Sequence, residues 1–265
     1  FEMACPDGLS LMGAARLTLE LTPSQSHAFV VARLCDVAPD GSSTKISHGM
    51  LNLHHRCVPP APLTPDQPIT VAFTLDQMAY QLAPGHKLRL ALSNTYWPFI
   101  WPSPSLGHLR LTGGSLNLPV HSGDAPAHSF ARPEAIPPAR LQQLDRGQET
   151  RERRIDLITG AEGLIVTSDS GTTRNPDHGL ETRAVMVEEW SIQPEDPLSA
   201  ICEISWTQSF QRDDWSVTTL VTAKQTGTQE NLILDAQVSV EIKDGDEAPE
   251  IIDRNFIARV ARKHV

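Results

Sequence analysis

The sequence predicts an all-β protein whose antiparallel strands pack as a sandwich or barrel, and three observations carry that expectation. Apolar residues recur with period two, turn-forming Pro, Gly and Asp separate the alternating runs, and no stretch longer than two or three turns carries a helical stripe. The alternation begins with Leu17, Leu19 and Leu21 set against Thr18 and Glu20. It continues with Ile69, Val71, Phe73 and Leu75 against Thr70, Ala72 and Thr74, and with Leu88, Leu90 and Leu92 against Lys87, Arg89 and Ala91. Residues two apart on a strand share a face, so each run is expected to bury one side only. The second half repeats the pattern, with Leu234, Ala236, Val238, Val240 and Ile242 on one face and Asp235, Gln237, Ser239, Glu241 and Lys243 on the other. Pro39-Asp40-Gly41, Pro84-Gly85, Gly113-Gly114, Asp169 to Gly171 and Asp244-Gly245-Asp246 supply the turns between such runs.

Residues 119–150 interrupt the rhythm. Pro119, Pro126, Pro133, Pro137 and Pro138 cannot donate to a ladder, so the stretch is expected to be a long Pro-rich connection crossing the sandwich surface. Its best helical candidate, Arg140 to Leu144, falls in this irregular region. Both flanking halves look like parts of one strand set, which predicts a single β-sandwich domain over residues 1–265.

The formal net charge of −10 argues against a nucleic-acid partner, because a phosphate backbone would be repelled. With 40% hydrophobic residues and a mean hydropathy of −0.24 the chain can fill a core, and no window is apolar enough for a membrane helix. Cys5, Cys35, Cys57 and Cys202 are too scattered for a disulfide framework and form no C-x-x-C pair. They are expected to be small buried apolar residues, in keeping with a cytoplasmic location. The first residue is Phe1 rather than Met, which fits a piece of a longer protein.

Three kinds of chemistry are missing. A G-x-S-x-G elbow needs glycine two residues on either side of the nucleophile; Ser10, Ser43 and Ser115 have it before but carry Met12, Lys45 and Asn117 after. Adjacent His54 and His55 would point to opposite faces of a strand, and His48 would lie about 20 Å away, so no metal site is expected and no cofactor is implied. No phosphate-binding glycine motif occurs, and Arg151, Arg153 and Arg154 alternate with Glu149, Glu152 and Asp156, which predicts intramolecular pairing or a solvated face.

The segment Trp97-Pro98-Phe99-Ile100-Trp101-Pro102-Ser103-Pro104 is different. It places two of the five tryptophans beside three prolines in a rigid apolar loop after a strand. Such a loop either packs over its own sandwich or serves as a docking surface or pocket wall, and Trp97, Phe99 and Trp101 are the candidate substrate or interface residues.

At these residues a resemblance emerges. Ala32-Arg33-Leu34-Cys35-Asp36-Val37-Ala38-Pro39-Asp40-Gly41-Ser42-Ser43, then His48 to Arg56, then Pro84-Gly85-His86-Lys87-Leu88-Arg89-Leu90-Ala91-Leu92-Ser93, then the Trp97 to Pro104 loop, follow one another in fixed order. The series resembles the C-terminal domain of the X-prolyl dipeptidyl-peptidase and cocaine-esterase type of serine hydrolases. The likeness is strong from Leu9 to about Pro104 and weaker beyond, through Trp190 to Ala200 and the closing strands to Val265. It implies a jelly-roll β-sandwich of galactose-binding-like type, appended to an α/β-hydrolase catalytic domain that carries the Ser-Asp-His triad. Since that catalytic domain is not in this chain, the resemblance implies no catalytic residue here. Arg56 is expected to pair with a carboxylate on a neighbouring strand.

The expected function is therefore that of a non-catalytic module of a serine peptidase or esterase. Its partner would be the α/β-hydrolase catalytic domain of the same parent chain, with Trp97, Phe99 and Trp101 at or near the interface. A face exposed for docking could also let the chain form a homo-oligomer. The competing expectation is a free-standing carbohydrate-binding module, which would need an exposed aromatic platform with polar groups beside it.

Overall fold

The computed structural model describes residues 1–123, 129–138 and 140–262; Pro126 and Val265, named above, lie outside them. The chain divides into two compact units, Phe1–Ala131 and Arg132–Arg262. The continuity of the strand pattern predicts a single domain over residues 1–265; alternation runs across a boundary between compact units as readily as within one.

The first unit holds seven strands: β1 (Glu2–Ala4), β2 (Ser10–Pro23), β3 (Phe29–Val37), β4 (Ser43–Asn52), β5 (Ile69–Gln81), β6 (Lys87–Ser93) and β7 (Leu109–Asn117). They form a four-stranded sheet of order β1-β6-β3-β4 and a three-stranded sheet of order β5-β2-β7, all pairs antiparallel. The period-two leucines do what alternation requires. Leu17, Leu19 and Leu21 of β2 and Val71 and Leu75 of β5 belong to the same buried cluster as Val30, Ala32 and Leu34 of β3, which is the core between the two sheets. Gly49 on β4 has a steric reason: a Cβ there would lie 2.8 Å from the Thr74 carbonyl oxygen and 3.0 Å from Leu75 Cα. The backbones of β4 and β5 come together at this point, and only glycine fits.

Unlike β2, β3 is buried on both sides: Val31, Cys35 and Val37 are covered as well as Val30, Ala32 and Leu34. A strand covered on both faces has no reason to alternate, which is why Phe29 to Val37 is nearly continuously apolar. At one end of the core, buried Asp36 accepts from the Tyr80 hydroxyl at 2.7 Å and lies 2.7 Å from His86 Nδ1. This carboxylate ties β3 of one sheet to β5 of the other. The Tyr80 phenol is held above its ordinary pKa by that hydrogen bond first and by burial second.

Three local expectations are corrected. His54 and His55 are not strand residues, because Leu53–Arg56 is a single 3-10 turn capped by the Asn52 side chain, which accepts from the His54 amide. His54 is buried with its ring 4.4 Å from that of His27, and its Nε2 lies 2.7 Å from the Ser26 carbonyl oxygen. Arg56 pairs with carbonyls rather than a carboxylate, donating to Leu53, Ala61 and Pro62 oxygens and so pinning the irregular segment that follows. Of the cysteines, Cys35 and Cys202 are buried, Cys5 is half-buried, and Cys57 is exposed.

The second unit is one seven-stranded antiparallel sheet in which each strand pairs with the next: β8 (Gln142–Ile155), β9 (Glu162–Arg174), β10 (Glu181–Gln193), β11 (Asp196–Arg212), β12 (Trp215–Gly227), β13 (Asn231–Asp244) and β14 (Glu250–Ala261). Tight turns use Glu195, Asp213 and Gly245 at φ of 58°, 54° and 58°. The expected connection over 119–150 is thus cut short at Gln142, and Arg140 to Leu144 leads into a strand rather than a helix. No alternation announced β8 because it is an edge strand with polar residues on both faces. Two of its arginines are paired, Arg153 to Glu162 at 2.8 Å and Arg154 to Glu152 at 3.1 Å.

Candidate functional site

The loop after β6 folds over the outer face of the four-stranded sheet. Register sets what it meets there: Arg33 on β3 pairs with His48 on β4 and Ala91 on β6, so these side chains project from the same face. Trp97 and Trp101 are half-buried and meet edge to face, ring centroids 5.3 Å apart at 72°. Phe99 does not join them. It stacks on Tyr96 at 4.8 Å and 10°, and remains 66% exposed. The three predicted residues are therefore split between two aromatic pairs, one seated in the loop and one displayed on it.

The displayed pair is ringed by charge. Lys45 Nζ lies 5.5 Å from the Tyr96 centroid and 5.2 Å from that of Phe99, and donates to the Tyr96 hydroxyl at 3.1 Å. The Arg33 guanidinium carbon lies 5.1 Å from the Tyr96 centroid on the same face. His48 approaches both rings edge-on at 6.3 and 6.4 Å while its Nδ1 lies 3.1 Å from Asp76. The result is an exposed aromatic surface with two cations and a His–Asp pair at its margin. Three polar atoms, Arg33 Nε, Trp101 Nε1 and Ser103 Oγ, are buried without a hydrogen-bond partner.

Tyr96, Lys45 and Arg33 were not singled out from the sequence, and His48 was weighed there only as a metal ligand. Tyr96 stands next to Trp97 and was the one local signal; Lys45 is 51 residues away from Tyr96 and only strand pairing brings it there. Among the described residues no group of three or more His, Cys, Asp or Glu side chains is placed to hold a metal ion. Among them, too, no helix is long and apolar enough to cross a membrane.

Comparison with known proteins agrees with the first unit and runs slightly past it. Three solved structures align with 46% of this chain: an alpha-amino acid ester hydrolase labelled with selenomethionine (21% identity, TM-score 0.43), an aminopeptidase from a marine sediment Thaumarchaeota archaeon (16%, 0.42) and a CocE/NonD family hydrolase from Staphylococcus aureus (14%, 0.40). The alignment spans 25%, 25% and 30% of those chains, so this chain corresponds to less than a third of each. No curated protein matches the chain. A family model does match, over residues 1–156 of 265, and the chain belongs to the family of X-Pro dipeptidyl-peptidase C-terminal non-catalytic domains.

Proposed function

We propose that this chain is the β-sandwich module of a serine peptidase or esterase, that it packs through the Trp97 to Pro104 loop on an α/β-hydrolase catalytic domain of the same parent polypeptide, and that it helps to shape the rim of that domain's pocket. The observation that carries the reading is the Phe99–Tyr96 stack. A large aromatic left two-thirds exposed on a loop otherwise anchored by buried prolines and a tryptophan pair is costly unless a partner covers it. Arg33 and Lys45, whose cationic groups flank the stack, complement a partner surface that offers acceptors. The sandwich wiring is read as a jelly roll, and the four free cysteines fit a reducing compartment such as the cytoplasm.

The test compares hydrolysis of an activated p-nitrophenyl ester and an X-Pro chromogenic dipeptide by this chain, by the full-length protein of the same reading frame, and by that protein carrying Phe99→Ala. Activity confined to the full-length protein and lowered about tenfold by Phe99→Ala is the expected result. Activity in the isolated chain would overturn the reading. A second reading, binding of a carbohydrate, is favoured by one feature: the exposed ring of Phe99 with Lys45, His48 and Asp76 beside it is a stacking platform with polar groups at its edge. A glycan array on which the chain binds nothing would remove it.

A further inference from the structure

Arg132–Arg262 is a single layer of strands, and its two faces differ. Cross-strand register places Met186, Trp206, Val221 and Val238 in one row on one face, running from Glu149 on β8 to Arg254 on β14. The rows on either side add Ile204 and Phe256 with Glu188 beside them, and Val240 and Ile252 with Gln208 and Thr219 beside them. The parallel row on the opposite face is mostly polar, with Thr167, Ser205, Thr222, Gln237 and Asn255 around a single valine, Val187. A sheet so divided needs a second layer on its apolar side, and Trp206, on the middle strand of the seven, is 45% exposed.

We propose that the second layer is the same sheet of a second copy of this chain. Seven strands about 4.8 Å apart and about twelve residues long present roughly 1,300 Å², above the ~800 Å² per partner of a standard stable interface. The layout is also self-complementary. An axis running along β11, the central strand, turns the sheet onto itself with Trp206 near the axis and the β8 rim of each copy over the β14 rim of the other. Those rims carry Glu149 and Arg254, opposite charges in the Trp206 row, so a two-fold pairing matches acid to base twice. The family match ends at residue 156, one residue after β8, so strands β9 to β14 lie outside it.

The test is the mass of the chain in solution by light scattering. A particle of twice 29.1 kDa is expected, with Trp206→Lys and Val221→Asp each weakening dimerisation at least about a hundredfold while the strand signal in circular dichroism is retained. Thr222→Lys, on the polar face, leaves the dimer intact. Glu149→Arg alone weakens it about tenfold and the added change Arg254→Glu restores it, which reads out the pairing even if the core variants fold poorly. A mass of 29.1 kDa at about 100 μM, or a dimer indifferent to both Trp206→Lys and the charge exchange, overturns the proposal.

Discussion

The two units of this chain are written in the same period-two alphabet and use it differently. In Phe1–Ala131 the apolar face of each sheet meets the other sheet, and fifteen strand and loop side chains are buried as one cluster. In Arg132–Arg262 the strands are longer, up to 17 residues, yet their apolar residues are mostly half-buried, and among the described residues only Ala200 and Cys202 join the buried apolar set. Alternation declares that a face needs covering; it does not say what covers it. That difference separates a region whose apolar faces cover one another from one built as a single layer.

The largest expected effect tests this contrast with one chemical change in both places. Leu34→Ala, at a site with no exposure, is expected to cost about 3–5 kcal/mol, whereas Leu234→Ala, 42% exposed, costs about 1 or less in the monomer. Urea unfolding of the two variants at low protein concentration checks it, and equal losses would break the comparison.

A second pair contrasts the polar ties of the two regions. Asp36→Ala leaves Tyr80 and His86 without their shared acceptor inside the sandwich and is expected to cost about 3 kcal/mol. In the single sheet, Arg183 donates to both oxygens of Asp169 at 3.1 and 2.6 Å, and this pair is more open to water. Hydrogen bonds from Arg183 first, and from the Gly171 amide next, hold the Asp169 carboxyl below its usual range. Its contribution is therefore present above the ordinary carboxylate pKa of about 4 and is lost as the pH falls through the lower folded value. Asp169→Asn is expected to be the milder change at pH 7, with the difference from the parent chain vanishing at strongly acidic pH. A loss as large as that of Asp36→Ala, or one that persists in acid, would show that the pair is better shielded than its exposure implies.

The smallest pair concerns backbone approach. Gly49→Ala drives a methyl into the backbone of β5 and is expected to cost about 1–3 kcal/mol. Gly163→Ala, where the nearest atom would be the Trp190 carbonyl oxygen at an ordinary 3.4 Å, is expected to be neutral within about 0.5 kcal/mol. Thermal unfolding of both variants would sharpen the claim that only the first unit brings two layers together.

Much of this was legible in the residues. Leu17 to Leu21, Ile69 to Leu75 and Leu234 to Ile242 gave their strands and faces directly, because a half-buried strand must alternate. The 3-10 turn at His54 was not legible, since its cause is the Asn52 cap and the carbonyl cradle around Arg56, and both depend on segments that meet only after folding. β8 was missed because polar residues occupy both of its faces, which leaves no alternation to read. At the aromatic loop, rigidity and apolarity were visible in the Trp and Pro spacing, but the split into a Trp97–Trp101 pair and a displayed Tyr96–Phe99 pair was not.

The sequence by itself determined an all-β chain, the inward faces of its strands, the turns that join them, and a loop too apolar to be ordinary surface, because each of these is a local property of neighbouring residues. Tertiary structure alone decided that Lys45 and Arg33 flank the Tyr96–Phe99 stack, that Asp36 bridges two sheets, and that one half of the chain closes on itself while the other presents an amphipathic layer. These depend on which strands pair and in what register, and pairing is settled by the summed burial of many residues far apart in the chain.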